Sequence, residues 1–149
     1  MSATDPGFIA ALAEAQQSFD AGGIPVGGAV VSPSGELLGR GHNRRVQEGS
    51  LILHGETAAF ENAKHLPISA FKDSTIYTTL SPCPMCAGAM VFFGVRKVVI
   101  GENKNMAGRE GYLRSHGIEV VVLGDERCER LLDDFIRNKP DIWNSGVAS

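Results

Sequence analysis

Predicted helices and strands alternate without interruption over the second half of the chain. Four helical segments are separated by three short runs rich in β-branched residues, in the order 54–65, 74–80, 83–94, 97–102, 108–117, 118–123 and 125–138. Strands joined through helices pair in parallel, because the crossover returns the chain to the same edge of the sheet. Helices then cover both faces of such a sheet. The alternation therefore predicts an α/β fold with three layers.

The first half of the chain adds one helix and a pair of strands. A helix over 6–20 begins after an Asp-Pro pair and stops at a glycine pair, both typical helix boundaries. Two strands over 24–43 are joined by a turn at 33–35. The full order is α-β-β-α-β-α-β-α-β-α. With 149 residues, the chain is predicted to form one domain spanning 1–149.

Charge and cysteine content narrow the class of protein. The net charge of −3 gives no basic surface across the domain, which disfavours a nucleic-acid partner. No secretory signal and no long apolar run are visible, so we expect a cytoplasmic protein without a membrane partner. Three cysteines are an odd number, which argues against a disulfide framework. Metal binding or catalysis is the better explanation of the cysteines.

Two of the cysteines stand in the segment SPCPMC, at residues 81–86. Cys83 and Cys86 open a predicted helix that follows a strand. The first turn of a helix lowers the pKa of a thiol through its unpaired N–H groups, and zinc binds the thiolate form. A redox pair or a buried structural pair would have the same spacing. The motif alone leaves these readings open.

A histidine and a glutamate favour the metal reading. His54 and Glu56 stand at the start of another predicted helix, which should open at the same edge of the sheet. Elsewhere, His42, His65 and His116 are interpreted as ordinary polar groups. His-x-Glu followed by Pro-Cys-x-x-Cys is the signature of zinc-dependent nucleobase deaminases. One histidine and two thiolates would hold zinc and leave a position for water, while Glu56 would move protons.

Long stretches of the chain resemble the cytidine deaminase superfamily, and most closely the yeast-type cytosine deaminases. These stretches cover most of residues 22–143 and include GGIPVGGAVV, GRGHN, GSLILHGETAAFENA, YTTLSPCPMCAGAM and FIRNKPDIW. The resemblance implies an α/β/α sandwich with a five-stranded mixed sheet, usually a homodimer. It also implies one zinc ion per chain, held by His54, Cys83 and Cys86, with Glu56 as the catalytic proton shuttle.

The same resemblance assigns residues that would bind the substrate. Asn43 and the Gly55 amide would bind the carbonyl oxygen of the base, and the Ser81 carbonyl would accept from its amino group. The Cys83 amide would stabilise the attacking oxygen. Val26 would line the floor of the pocket.

Two residues would cover the base, and the chain departs from the yeast-type pattern near both. Trp143 would close over the ring. Met106 stands where the family has a lid phenylalanine, and methionine stacks less well on a ring. Gly146 stands where the yeast-type enzymes carry an aspartate that accepts from the substrate, and Asp141 is not its equivalent in sequence. The preferred base is therefore left open by the sequence.

The function predicted from these features is hydrolysis of cytosine to uracil and ammonia, in pyrimidine salvage. A first alternative is deamination of another amino-heterocycle, such as isocytosine, guanine or a pterin-like ring. A second is a tRNA adenosine deaminase, against which stand the acidic charge balance and the expected Trp143 lid. A third is a structural zinc domain. Structural zinc sites usually have four protein ligands, whereas Cys128 is interpreted as an ordinary helix residue.

Overall fold

The computed structural model describes residues 2–145, which form a five-stranded sheet with helices. The α-helices are α1 Pro6–Asp20, α2 Arg45–Glu48, α3 Gly55–Asn62, α4 Pro84–Phe93, α5 Glu110–Ser115, α6 Glu126–Asn138 and α7 Pro140–Trp143. The strands are β1 Gly27–Val31, β2 Leu37–His42, β3 Thr75–Leu80, β4 Lys97–Glu102 and β5 Glu119–Val122. Two 3₁₀ turns complete the elements, Ser2–Thr4 and Ile68–Phe71.

The sheet is mixed, with the strand order β2-β1-β3-β4-β5. β1 pairs antiparallel with both β2 and β3, whereas β3, β4 and β5 run parallel. Leu80 is opposite Glu102 at the carboxyl ends of β3 and β4. The loops that follow these two strands therefore leave the sheet side by side. This confirms the predicted parallel half and the five-stranded mixed sheet.

Helices cover both faces of the sheet, as predicted. Successive residues of a strand point to opposite faces, and Ile76 and Tyr77 accordingly belong to different apolar clusters. Ile76 packs with side chains of α3, α4 and α5, whereas Tyr77 packs with side chains of α1 and α6. A third cluster lies at the end of β3, around Leu80. The three layers of the α/β/α sandwich follow from this packing.

Glycines of β1 and β2 allow α3 to lie directly on the sheet. A Cβ atom on Gly28 would be 2.6 Å from the Gly55 carbonyl oxygen, and one on Gly41 would be 2.8 Å from Ala58. Distances this short exclude any side chain at either glycine. The close approach fixes the start of α3 against β1, and that start carries two of the predicted site residues.

Several elements differ from the sequence-based predictions, most of them by one or two residues at an end. The helix predicted over 54–65 ends at Asn62, and the helix predicted over 108–117 spans only Glu110–Ser115. Two four-residue helices, α2 and α7, were not predicted, because single turns carry no periodic apolar signal. In α2, the Nη1 atom of Arg45 is buried without a hydrogen-bond partner among residues 2–145.

Candidate active site

Three metal-ligating side chains converge where α3 and α4 begin. His54 is the residue before α3, Cys83 is the residue before α4, and Cys86 lies in the first turn of α4. The Nδ1 atom of His54 is 3.5 Å from Cys83 Sγ and 3.6 Å from Cys86 Sγ. All three ligand atoms lie within 4.8 Å of one another, in the one such cluster that residues 2–145 contain.

The spacing of these atoms fits zinc. Tetrahedral zinc bonds to sulfur at about 2.3 Å and to nitrogen at about 2.1 Å, which separates the bonded nitrogen and sulfur atoms by about 3.6 Å. The two observed Nδ1–Sγ separations, 3.5 and 3.6 Å, match this value. Imidazole and thiolates are also the ligands that zinc favours. The three residues could therefore hold zinc and leave a fourth position for water, as catalytic zinc sites do.

Local sequence explains why the two helices begin at these residues. Pro84 takes the first position of α4, where an N–H group would have no partner in the helix. Cys83 is consequently held in an extended conformation, with φ −71° and ψ 172°. Ahead of α3, the His54 amide donates to the Thr57 hydroxyl at 2.8 Å. Both caps orient their side chains towards the shared space between the helices.

Glu56 is a buried carboxyl group beside the three ligands. It is fully buried, and neither carboxylate oxygen has a hydrogen-bond partner within residues 2–145. Burial raises the pKa of Glu56 to about 7, and the charge of Cys83 adds to the increase. The backbone amide of Glu56 and the charge of His54 oppose the increase in pKa, and the Thr78 hydroxyl opposes it least. A carboxyl group with this pKa can both accept and release a proton near neutral pH.

Contacts among the three metal-ligating side chains also shift their pKa values. A hydrogen bond with Cys83 and burial raise the pKa of the Cys86 thiol well above its usual value. Burial lowers the pKa of His54, but the hydrogen bond to Cys83 and the charge of Glu56 outweigh it, so the net shift is upward. A thiolate at the buried Cys86, with these neighbours, needs a nearby cation. Such a donor set is suited to a bound metal ion.

The structure also brings the predicted substrate-binding residues to this edge of the sheet. Asn43 is fully buried. Its backbone amide donates to the Val26 carbonyl at 3.0 Å, and its side-chain Oδ1 accepts from the Arg45 backbone amide at 2.9 Å. A Cβ atom on Gly55 would lie 3.1 Å from the Val26 carbonyl oxygen. Ser81 directly follows β3 and is fully buried. The pairing of β1 with β2 and β3 places Asn43, Val26 and Ser81 at one edge of the sheet, against which α3 begins.

Apolar side chains from distant parts of the chain close the same edge. Val26 and Leu80 belong to the third apolar cluster, and both Met106 and Trp143 pack against it. The predicted floor and cover of the pocket are thus in contact with one cluster. Gly146, where the sequence departs from the yeast-type pattern, lies outside the described residues.

Cys128 and His42, which the sequence analysis interpreted as ordinary residues, lie away from the three metal-ligating side chains. Cys128 is buried in the cluster formed with α1, on the opposite face of the sheet from α4, which agrees with its prediction as a helix residue. The Nδ1 atom of His42 is 2.7 Å from Glu14, so this histidine is a paired polar group as predicted. Sequence reasoning missed two glutamates near the site, Glu102 and Glu110. Glu102 had one visible signal, an acid at the end of an apolar strand, whereas Glu110 had none.

Comparison with known proteins agrees with this fold and site. The sequence model of the cytidine and deoxycytidylate deaminase zinc-binding region matches residues 4–102. The cytosine deaminase of Candida albicans is 49% identical over 142 residues, which cover 95% of both chains. The tRNA-specific adenosine deaminase of Bacillus subtilis is 38% identical over 138 residues, covering 85% of this chain and 84% of the relative.

Solved structures extend the comparison. A structure of the guanine deaminase from Nitrosomonas europaea superposes with a TM-score of 0.70 at 25% identity, covering 89% of this chain and 84% of that one. The fold and the site define a zinc-dependent hydrolytic deaminase. The chain belongs to the cytidine and deoxycytidylate deaminase family.

Proposed function

We propose that this chain hydrolyses cytosine to uracil and ammonia. The observation that carries the proposal is the near full-length likeness to the Candida albicans cytosine deaminase, at 49% identity over 95% of both chains. The Glu56 carboxyl group, which is buried and has no hydrogen-bond partner among residues 2–145, lies beside three zinc-type ligands and supports the same chemistry.

In this proposal, His54, Cys83 and Cys86 hold the zinc ion and Glu56 moves the protons. Zinc, when bound, supplies Lewis-acid chemistry that makes a water nucleophilic near neutral pH. The Glu56 carboxylate takes one proton from that water and delivers it to the ring nitrogen beside the amino-bearing carbon. The water oxygen bonds to that carbon, and Glu56 passes the second proton of the water to the amino group; the C–N bond then breaks and ammonia leaves. Burial keeps this carboxyl group away from bulk solvent, so its proton goes to the substrate.

The remaining pocket residues orient the base. Asn43 and the Gly55 amide bind its carbonyl oxygen, and the Ser81 carbonyl accepts from its amino group. Val26 forms the floor, while Met106 and Trp143 cover the ring. The common apolar cluster behind floor and cover supports this arrangement. Covering the base excludes water and strengthens the polar contacts made to it.

Two other substrates are the main competitors. The Bacillus subtilis relative acts on tRNA, and the structural neighbour from Nitrosomonas europaea is a guanine deaminase. The lower identity to both relatives favours cytosine, and the packing of Trp143 against the cluster at the end of β3 favours a small base over tRNA. Ammonia release should be measured with cytosine, isocytosine, guanine and tRNA. Turnover of cytosine with the highest kcat/KM supports the proposal, whereas a preference for any of the others overturns it.

We further propose that the enzyme is a cytoplasmic homodimer of pyrimidine salvage. Exposed apolar side chains near α3 and α4 support self-association: Leu51, Ile52, Met85 and Phe92. Met85 and Phe92 are seven residues apart, so they share one face of α4. Phe92→Glu should shift the protein from dimer to monomer in analytical ultracentrifugation, while Tyr112→Glu, at an exposed site on α5, should not.

Within residues 2–145, no helix has the length and apolar character needed to cross a membrane.

A further inference from the structure

The segment between β4 and α5 is fastened to the site by hydrogen bonds that the proposed chemistry does not use. This segment, residues 103–109, carries Met106 and is called here the 103–109 loop. The backbone and side-chain amides of Asn105 donate to the Glu102 carboxylate at 2.9 and 2.7 Å. Glu102 is fully buried, at the carboxyl end of β4. The first part of the loop is therefore anchored on the sheet.

The second part of the loop is tied to Ser81. The Gly108 amide donates to Ser81 Oγ at 2.9 Å, and the Ser81 hydroxyl donates to Glu110 Oε2 at 2.7 Å. A backbone amide can only donate and a carboxylate can only accept. The hydroxyl proton of Ser81 consequently points at Glu110. One carboxylate thus determines the orientation of a fully buried hydroxyl beside the site.

Backbone contacts also join the loop to residues 81–82. The Arg109 amide donates to the Pro82 carbonyl at 2.9 Å. A Cβ atom on Gly108 would lie 2.1 Å from that same carbonyl oxygen, so only glycine permits the approach. The Ser81 amide donates to the Glu102 carbonyl at 3.0 Å. The loop and residues 81–82 consequently form one packed unit.

The Glu110 carboxylate is itself held in place. Asn103 Nδ2 lies 3.4 and 3.2 Å from its two oxygens. Glu110 also begins α5, where a negative charge is stabilised by the helix N-terminus. The carboxylate is therefore fixed on one side by the loop and on the other by Ser81.

We propose that Glu110 is a positioning residue for substrate recognition, which holds Ser81 and the 103–109 loop together as one wall of the pocket. This inference rests on the proposed function, in which the Ser81 carbonyl accepts a hydrogen bond from the amino group of the base. Glu110 acts only through Ser81, and it sets where that carbonyl meets the amino group. The same bonds set the position of Met106 over the ring.

The first test is the kinetics of the zinc-loaded enzyme with cytosine. Glu110→Ala should raise KM about ten-fold, the value of one lost hydrogen bond, while kcat changes less than about three-fold. Glu110→Gln keeps an oxygen that accepts from Ser81 and should restore most of the affinity. Glu119→Ala, at an exposed glutamate on β5, is the matched control and should match the wild type. An unchanged KM in Glu110→Ala, or no rescue by Glu110→Gln, overturns the inference.

The second test needs no turnover. Hydrogen exchange of the Gly108 amide should become at least about ten-fold faster in zinc-loaded Glu110→Ala, because Ser81 Oγ is no longer held as its acceptor. The Asn105 amide, bonded to Glu102, should exchange as in the wild type. If wild-type protein does not deaminate cytosine, the proposed function fails, and exchange at Gly108 then decides this inference alone. Faster exchange supports it, and unchanged exchange overturns it.

Discussion

His54 and Cys83 occupy equivalent positions in two different helices. Each is the residue just before the first helical turn, His54 ahead of α3 and Cys83 ahead of α4, and their Nδ1 and Sγ atoms are 3.5 Å apart. The positive ends of two helix dipoles therefore meet at one point. This arrangement also places the Glu56 carboxyl group, two residues after His54, next to the two side chains.

Replacing the proposed proton shuttle should abolish catalysis without removing the metal. Glu56→Gln keeps the size of the side chain, but its amide cannot carry protons, so kcat should fall by about 10²- to 10⁴-fold. Ammonia release and metal analysis on the same sample check this. Full zinc content with near wild-type turnover would refute the role given to Glu56.

Although Glu56→Gln should abolish catalysis, it should increase the stability of the metal-free protein. Burial raises the pKa of Glu56 from 4.5 to about 7. Between these values, the unfolded chain releases the proton while the folded chain keeps it, so the free energy of unfolding decreases as pH rises. Glu56→Gln does not titrate there. At about pH 8, the free energy of unfolding of metal-free Glu56→Gln should be about 3 kcal/mol higher than that of the metal-free wild type.

That difference should disappear on acidification. Below pH 4.5, the carboxyl group is protonated in both the folded and the unfolded wild type, so it carries no penalty. Urea unfolding in the presence of a chelator, repeated across this pH range, measures both limits. If the difference in stability does not depend on pH, ionisation of the buried Glu56 does not destabilise the folded protein, and the prediction is wrong.

Loss of one proposed ligand should lower metal content and stability together. Cys86→Ala leaves two protein ligands, and metal binding is coupled to folding, so both zinc occupancy and Tm should drop. Cys128→Ala is the matched control, since Cys128 is also buried but lies on the other face of the sheet. That variant should lose stability and keep its zinc. Stoichiometric zinc in Cys86→Ala would contradict the ligand assignment.

Trp143→Ala should impair the use of the substrate more than it impairs folding. The ring packs against the apolar cluster at the end of β3, where it would cover the base. Loss of this cover should reduce kcat/KM for cytosine by at least about ten-fold. A Tm measurement on the same variant separates the two effects. Truncation after Pro140 provides the sharper check, because intact cytosine activity without residues 141–149 would exclude a closed pocket.

A side chain at Gly28 should disrupt the site from a distance. Its Cβ would lie 2.6 Å from the Gly55 carbonyl oxygen, so Gly28→Ala should displace the start of α3 and reduce zinc content and activity. Gly88→Ala is the control within α4, where a Cβ meets no atom within 4 Å. That change should raise stability by about 0.5–1 kcal/mol, because alanine favours the helix. Equal activity in the two variants would contradict the packing argument.

Much of the fold and the metal ligands could be predicted, because their signals are local. Apolar runs with period two or 3.6 indicate strands and helices, and the spacing of Cys83 and Cys86 is short and specific. α2 and α7 had no such signal. The bond from Ser81 to Glu110 joins residues 29 positions apart, and only the parallel pairing of β3 and β4 brings them together. Such contacts depend on tertiary structure, so the sequence pattern did not predict them.

The close seating of α3 on the glycines of β1 and β2 has a consequence for redesign of the enzyme. Because Gly28 leaves no room for a side chain, the distance from Glu56 to the sheet cannot be adjusted by substitution on that side. The opposite wall is held by side-chain hydrogen bonds, at Glu102 and Glu110, which can be exchanged one at a time. Libraries that seek new base specificity should therefore vary the 103–109 loop and its anchors, and leave the glycine face unchanged.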